Sequence, residues 1–206
     1  MALIHRATLV PSKLEAIVAW IPAQPWALDI DGLEAVGAYR YDDPDGEVGV
    51  ETHLLRSASG TVLQVPLTYR SAPLEGAESY LVATMDHSAL GKRWVYDGVG
   101  DPVYVAVTAA AISNGTTRAE LYVEEHDGTR STREQTTSVS GTGADSLAEP
   151  LGERTVEQID TATLVRTEHA TLLVRRVIDA ASTRLPHLRG TWPGQPEPVV
   201  LVELRL

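Results

Sequence analysis

The feature that most constrains this chain is a series of short segments between residues 33 and 96 in which apolar and polar residues alternate. Alternation with a period of two puts every second side chain on the same face of a strand. Turns of hairpin length, rich in Gly, Pro and Asp, separate the segments. The segments are 33–41, 48–55, 62–69, 80–85 and 93–96. The pattern predicts an antiparallel meander of about five strands.

Pro66 interrupts the third of these segments. Proline has no backbone N–H to donate to a neighbouring strand, so it is confined to sheet edges, strand starts and bulges. Segment 62–69 is therefore predicted to be an edge strand or to contain a bulge. Together with the C-terminal segment 199–206, it offers an exposed edge for dimerisation or partner docking.

A helix is predicted just before the strands. Ser12 and Glu15 have the spacing of a capping box, in which each side chain satisfies a free backbone N–H of the first turn. Pro22 ends the helix. The apolar residues at helical spacing are Leu14, Ile17, Val18 and Ile21.

A second helix follows the strands. Asp101 is a good N-cap, and Pro102 occupies the first turn, where its missing N–H costs nothing. Residues 103–113 form the body, and Gly115 marks the exit. After it, 120–125 and 130–136 are predicted as strands around the turn His-Asp-Gly-Thr.

The last third of the chain gives weaker signals. Residues 136–154 are rich in Ser, Thr and Gly and are predicted to be a mobile loop or linker. Segments 155–167 and 170–178 are predicted as two strands, but one amphipathic helix over 168–185 fits the spacing too, and periodicity does not decide between them. Residues 188–198 are expected to form a Pro/Gly-rich loop before the apolar C-terminal strand.

Charge and cysteine content exclude several kinds of function. The formal net charge is −11, which disfavours nucleic acid and anionic membranes as partners. Without cysteine the chain has no disulfide, thiolate zinc site or cysteine nucleophile. The N-terminus makes a poor signal peptide, and the longest nearly apolar run, 103–112, is too short to span a bilayer. A cytoplasmic location is predicted.

Motifs for cofactors and metals are missing from the sequence. It has no GxxxxGK[ST] loop, no GxGxxG, no GxSxG elbow and no HExxH pair. The six histidines are scattered, and the acidic turn at 42–47 lacks the distal glutamate of a calcium loop. No cofactor and no metal site are therefore predicted.

The densest group of chemically versatile residues lies in 85–105. Large aromatic side chains beside charged groups are typical of sugar or protein recognition. A structural role is the favoured alternative, because residues two apart on a strand share a face and an aspartate can cap the following helix. The candidate binding residues are Arg93, Trp94, Tyr96, Asp97, Asp101 and Tyr104.

Four blocks of sequence resemble a known family. They are ETHLL (51–55), QVPLTYR (64–70), APLEGA (72–77) and DHSALGKRWVYDGVGDPVY (86–104). They are similar to the N-terminal cap of actinobacterial maltokinases, and more closely to free-standing cap-like proteins. The resemblance implies an α+β fold, in which a curved antiparallel, cystatin-like sheet with a packed helix spans 1–135. Residues 136–154 then form a linker, and 155–206 a smaller sheet-rich portion.

Residues 155–177 resemble the part of a maltokinase N-lobe in which a strand hairpin precedes an Arg-Arg pair. The family pattern has a phosphate-binding lysine three positions before that pair, where this chain has Leu172. An apolar side chain cannot replace an ammonium that meets phosphate. The HxDxxxxN loop of the kinase C-lobe is also missing, so no route to phosphoryl transfer remains within the chain.

Three functions follow as hypotheses. The first is a non-catalytic interaction or regulatory module, linked to α-glucan or trehalose metabolism, whose partner is a pathway enzyme or a second copy of the chain. The second is a small-molecule carrier that uses the concave face of the sheet, marked by an apolar pocket lined by residues such as Trp94 and Tyr96. The third is a half-kinase completed by another chain, which Leu172 disfavours.

Overall fold

The structure is a computed structural model that describes residues 2–4, 8–119, 121–124, 130–132, 135–144, 147 and 151–206. For 2–4, 121–124 and 130–132 it describes the backbone alone. The predicted turn at 126–129 lies outside the described residues. In the described part, no helix is long and apolar enough to cross a membrane.

The described residues form strands and two α-helices. The first half of the chain contains β1 (Ala2–Ile4), β2 (Leu9–Val10), α1 (Lys13–Trp20), β3 (Glu34–Asp42), β4 (Gly49–Arg56), β5 (Val62–Arg70), β6 (Leu81–His87), β7 (Gly91–Asp97) and α2 (Pro102–Ser113). The second half contains β8 (Leu121–Glu124), β9 (Arg130–Thr132), β10 (Ser138–Gly141), β11 (Thr155–Ile159), β12 (Ala162–Arg166), β13 (Thr171–Arg175), β14 (Val177–Ile178), β15 (His187–Trp192) and β16 (Gln195–Arg205).

These strands make three sheets. The first sheet has seven strands in the order β2-β6-β7-β5-β4-β3, with β14 added beside β5. The second sheet has six, in the order β10-β15-β16-β13-β12-β11. A small sheet contains β1, β8 and β9. The fold is thus mostly β with two short helices, and the cystatin-like and kinase N-lobe-like details stay predictions.

The predicted five-strand meander is only partly correct. Strands β3, β4 and β5 are neighbours in the sheet in the same order as in the sequence. The β6–β7 hairpin has the opposite order, because β7 and not β6 pairs with β5. Alternation determines which face each side chain takes, and it carries no information on which strand lies next to which. The hairpin itself forms as expected for two strands joined by a short turn.

Pro66 lies in an interior strand, so the predicted edge position is wrong. Strand β5 pairs with β4 along its whole length, and on its other side with β14 at Val62–Leu63 and with β7 from Leu67 onward. The Gln64 N–H points to this second side, where it donates to the carbonyl of Arg176. Pro66 has the same parity, so its missing N–H faces the gap between β14 and β7 and no ladder hydrogen bond is lost.

Helix α1 begins as predicted, but only half of the predicted apolar stripe is buried. Ser12 accepts a hydrogen bond from the Glu15 N–H, and the Glu15 carboxylate accepts one from the Ser12 N–H, which confirms the capping box. Ile17 and Ile21 are buried as expected, but Leu14 and Val18 are exposed. A 3-10 turn over Ile21–Ala23 follows, with Pro22 inside it. Helix α2 has the predicted start and end.

The first sheet separates two hydrophobic cores. On one face, Leu63, Val65 and Leu67 of β5 pack beneath α1 and Trp26. On the other face, residues of β3 and β4 share a core with α2 and the second sheet. This second core is the larger of the two. It contains residues of both the predicted 1–135 and 155–206 portions, such as Tyr39 and Leu201. The predicted division into portions itself stays a prediction.

Gln64 joins the two sheets across the larger core. Its side chain is fully buried, and its Oε1 accepts a hydrogen bond from the Tyr39 hydroxyl at 3.1 Å. Its Nε2 donates to the carbonyls of Arg175 and Leu201, at 2.9 and 3.1 Å. Both polar atoms of this amide therefore have hydrogen-bond partners, as a buried polar group requires.

The segment 168–185 is not a helix. Residues Thr171–Arg175 form β13 in the second sheet, and after Arg176 the chain continues as β14 in the first sheet. The strand alternative is thus confirmed, although 155–167 is itself a hairpin of two strands, β11 and β12. Residues 171–178 therefore contribute one strand to each of the two sheets.

Three other predictions for the second half are corrected. Part of the predicted 136–154 linker is strand β10, whose Val139 is buried in the larger core. The predicted loop at 188–198 is a hairpin of β15 and β16, so the C-terminal strand begins earlier, at Gln195. Both β5 and β16 lie inside their sheets, so the predicted exposed edges at 62–69 and 199–206 are wrong. Self-association stays a prediction.

Candidate functional site

The structure divides the six candidate residues into two groups. Four are buried, with between 0% and 4% of their surface exposed, and the other two are half-buried. The buried residues are Tyr96, Asp97, Asp101 and Tyr104, and the half-buried ones are Arg93 and Trp94. The polar groups of the buried residues determine what this region can do.

Trp94 and Tyr96 share one face of β7, as the sequence predicts. The Tyr96 hydroxyl accepts a hydrogen bond from the Leu74 N–H at 2.9 Å, which fixes the loop between β5 and β6. Trp94 keeps part of its indole accessible, and the Lys92 ammonium lies 5.1 Å from its ring centroid. That distance is within the range of a cation–π contact.

Asp101 has two roles inside the fold. Its Oδ1 caps α2 by accepting from the Val103 N–H at 2.9 Å. The same carboxylate receives two hydrogen bonds of 2.7 Å from Arg70, a bidentate pair. The hydrogen bond with Asp101 raises the pKa of Arg70 above its usual value. Asp101 is fully buried, so this pair attaches the start of α2 to the end of β5.

Asp97 makes the second buried ion pair. Its Oδ2 accepts a hydrogen bond of 2.6 Å from Arg176, and Arg176 also donates to the Thr163 hydroxyl at 2.8 Å. The guanidinium lies 5.0 Å from the centroid of the Trp26 ring. Both charged side chains are almost inaccessible to water. Arg176 therefore connects β7, β12 and the indole below α1 at the point where the chain passes between the sheets.

Arg175 and Arg176, the pair noted in the sequence, point to different sides. Arg175 forms an ion pair with Glu203 on β16 and another with Asp179, the latter at 3.0 Å. Successive residues of an extended chain point in opposite directions, which explains the division. Neither arginine is free to meet a ligand in this conformation.

The two glycines of the Gly-Val-Gly turn between β7 and α2 have no room for a side chain. A Cβ atom on Gly100 would lie 2.1 Å from Cγ of Tyr80, and one on Gly98 would lie 2.8 Å from Cγ of Tyr104. Burial raises the pKa of the Tyr104 hydroxyl above its usual range. The aromatic and glycine residues of this motif thus form a packed joint between strand and helix.

Within this region, then, only Arg93 and Trp94 of the six candidates keep accessible surface. Asp97 and Asp101 are occupied by arginines, and Tyr96 by a backbone amide. Ligand binding by the six residues stays a prediction. The surface available for it is the accessible part of β7 around Arg93 and Trp94, which we call the Trp94 side of β7. Within the described residues no group of three or more His, Asp or Glu side chains is placed to hold a metal ion.

A second polar cluster was missed by the sequence reasoning. It lies on the α1 side of the first sheet and consists of Lys13, Arg40, Glu51, His53 and Tyr69. The Lys13 ammonium forms an ion pair with the Glu51 carboxylate and lies 5.4 Å from the centroid of the Tyr69 ring. His53 Nε2 is 3.5 Å from Glu51 and 3.3 Å from the Tyr69 hydroxyl.

The neighbouring charges control the ionisation of this cluster. Burial alone would raise the pKa of Glu51, but His53, Lys13 and Arg40 outweigh it and hold the pKa well below its usual value of 4.5. Burial, and then the negative charge of Glu51, raise the pKa of Tyr69 well above 10.0. The cluster therefore contains a permanently charged carboxylate and a neutral phenol at neutral pH.

One signal for this cluster exists in the sequence. Glu51 and His53 alternate in phase with Leu55, a residue of the inward face. Two polar residues at inward positions of a strand need partners, because burying them alone is costly. The sequence does not say that the partner would be Lys13, which belongs to a helix 38 residues away.

Replacing Glu51 by glutamine should make the protein less stable at neutral pH by about 2 kcal/mol, because Lys13 would lose its buried partner. The folded state lowers the pKa of Glu51, so its contribution is complete above pH 4.5 and is lost as the pH falls further. The difference in free energy of unfolding between wild type and E51Q should thus narrow in acid. Urea titrations from neutral to acidic pH measure it.

The exposed Glu197→Gln variant is the matched control, and its stability should parallel that of the wild type at each pH. A difference between E51Q and wild type that stays constant with pH would contradict the role given to the Glu51 charge.

The comparisons with known proteins concern the first sheet. Residues 20–101 match the family model of the maltokinase N-terminal cap domain, so the resemblance is confirmed over that part of the chain. The matched range includes β3 to β7 and ends at Asp101, the cap of α2. No curated protein matches the chain. The resemblance of 155–177 to a kinase N-lobe stays a prediction.

Proposed function

We propose that this chain, which contains a maltokinase N-terminal cap domain at residues 20–101, acts as a non-catalytic interaction or regulatory module. The observation that carries the proposal is the family match, together with the use of the motif residues inside the fold. The ion pairs of Asp97 and Asp101 stabilise a joint between strand and helix, and they occupy both candidate aspartates.

The position of Leu172 supports the same proposal. In the kinase pattern that 155–177 resembles, a phosphate-binding lysine stands at this position. Here the side chain is 1% exposed and belongs to the larger core, between the second sheet and α2. A nucleotide could not reach this position without unpacking the core.

The first test is catalytic. The purified chain is incubated with Mg-ATP and maltose, and maltose phosphate is measured against a maltokinase standard. We expect no phosphate transfer above the rate without protein, because the chain lacks the groups that position phosphates. Transfer by the purified chain alone would overturn the proposal.

The second test concerns the partner. We propose that it is an enzyme of α-glucan or trehalose metabolism, since maltokinases phosphorylate maltose. The chain is mixed with each such enzyme of its own host and examined by sedimentation velocity. A complex should form with one of them, and Trp94→Ser should weaken it at least about tenfold, because truncated interface aromatics commonly cost that much.

The control for this test is Leu28→Ser. Leu28 is 86% exposed and belongs to the connection between α1 and β3 and not to β7, so its replacement should leave the complex unchanged. Equal loss in both variants would show that the Trp94 side of β7 is not the contact surface. Absence of a complex with all the pathway enzymes would overturn the proposed partner class.

The carrier alternative depends on a pocket lined by Trp94 and Tyr96. Tyr96 is buried beneath the loop that its hydroxyl holds. A cavity of about 200 Å³ exists on the described surface, but it lies between β10, β15 and β16 and involves neither aromatic residue. In the part of the chain that the structure describes, no observation therefore favours the carrier over the interaction module.

A further inference from the structure

The outer face of the second sheet contains a small cavity lined by hydroxyl groups and one arginine. Its volume is about 200 Å³, and it is open to solvent. The lining residues are Ser138, Ser140, Arg189, Gly190, Thr191 and Pro198. Its lining residues lie outside the matched cap segment and none of them belongs to β7, so it is independent of the proposed function.

The strand register brings the polar side chains of this cavity together. Ser138 pairs with Thr191 across the β10–β15 ladder, and Ser140 pairs with Arg189. Directly opposed residues point to the same face of a sheet. The intervening Val139 faces the core, so the four polar side chains all point outward. They are held on strands, whose backbone is more rigid than that of a loop.

The arginine of this cavity has spare hydrogen-bonding capacity. Its Nε is 3.5 Å from the Ser140 hydroxyl, the limit of a hydrogen bond, and no carboxylate of the described residues forms an ion pair with it. By contrast, Arg70, Arg166 and Arg175 each have a carboxylate partner.

We propose that this cavity binds a phosphate group. Its lining offers a guanidinium and three hydroxyls, all able to donate hydrogen bonds, and contains no carboxylate that would repel an anion. Guanidinium groups match the geometry of phosphate oxygens, and strands arrange the hydroxyls around them. The volume is below the roughly 300 Å³ at which pockets for drug-sized ligands begin, so it suits one phosphate group.

The test is an NMR titration of the full-length, ¹⁵N-labelled chain with inorganic phosphate at constant ionic strength. Saturable shifts should appear for the amides of 138–141 and 189–191, with a dissociation constant on the order of 1 mM, as expected for one guanidinium at an open site. Sodium chloride at the same ionic strength is the baseline. Shifts that are absent or that do not saturate would overturn the proposal.

Variants of Arg189 make the test specific. Arg189→Gln should weaken phosphate binding at least about tenfold, because it removes the charged donor. Arg189→Lys should retain part of the affinity, since it keeps the charge and loses the planar donor fork. The exposed Arg205→Gln on β16 is the control and should bind like the wild type. Equal loss in R189Q and R205Q would show a general charge effect and overturn the assignment.

A second titration with phenyl phosphate distinguishes free phosphate from a phosphate monoester as the ligand. Both present the same group to Arg189, so both should shift the same amides. Tighter binding of the monoester, with added shifts near Pro198, would assign the site to an esterified phosphate. Weaker binding would assign it to inorganic phosphate, and binding of neither would contradict the proposal.

Discussion

Replacing Arg176 by methionine should lower the free energy of unfolding by about 3–5 kcal/mol, the usual cost of removing one partner of a buried ion pair. The variant leaves the Asp97 carboxylate buried without its cation. It also removes the guanidinium that donates a hydrogen bond to the Thr163 hydroxyl. Methionine keeps most of the side-chain volume over the Trp26 ring, so the loss is mainly electrostatic. Urea denaturation followed by tryptophan fluorescence measures the change.

Arg166→Met is the matched control. Arg166 lies on the neighbouring strand β12, and its ion pair with Glu157 is about half exposed on both sides. Exposed pairs contribute at most about 1 kcal/mol, so this variant should remain close to the wild type. If R176M fails to fold, Asp97→Asn gives a milder change at the same pair. Equal stability of R176M and R166M would contradict the role given to Arg176.

Replacing Leu172 by lysine should destabilise the protein by at least about 4 kcal/mol, because an ammonium in the core loses its hydration and finds no partner there. The variant restores the residue type that the kinase pattern has at this position. Since Leu172 faces the core, we expect no gain of nucleotide binding. Chemical denaturation and the fluorescence of a nucleotide analogue, with and without Mg²⁺, measure the two effects.

Leu173→Lys provides the comparison. Leu173 is the next residue of β13, points to the other face of the second sheet, and is opposite Glu203. A lysine there can reach water, so the loss should be about 1 kcal/mol or less. Nucleotide binding by L172K in a folded state would contradict the burial argument and would revive the half-kinase hypothesis.

Local signals predicted the local structure well. The capping box of Ser12 and Glu15 and the Asp101–Pro102 start of α2 are confirmed, because each depends on residues a few positions apart. The alternating segments also form strands at the predicted places. The inversion of the β6–β7 hairpin was not predictable, since it depends on contacts between distant segments.

Pro66 illustrates how a sound rule gave a wrong position. The rule says that proline needs a place without a ladder hydrogen bond, and the structure supplies such a place inside the sheet. Two strands, β14 and β7, each pair with only part of β5, and Pro66 lies between those parts. One of these partners is β14, from the far end of the chain, which no local pattern connects with β5.

The candidate site shows the same limit. The sequence identified Asp97 and Asp101 as chemically versatile residues, and both structural and binding roles stayed open. Their partners Arg70 and Arg176 lie 31 and 79 residues away, so the choice depends on tertiary structure. The hydroxyl-lined cavity gave no sequence signal, because serine and threonine in 136–154 are also typical of a linker.

The strand that passes from one sheet to the other has a consequence for the limits of the unit that folds. The family match ends at residue 101, yet Val177 and Ile178 pair with Val62 and Leu63 at the start of β5. A polypeptide cut after residue 101 would leave the backbone groups of Val62 and Leu63 unpaired at an apolar edge of the sheet. Such an edge promotes aggregation. The boundary at which the sequences cease to be alike is therefore not a boundary at which this protein could be divided.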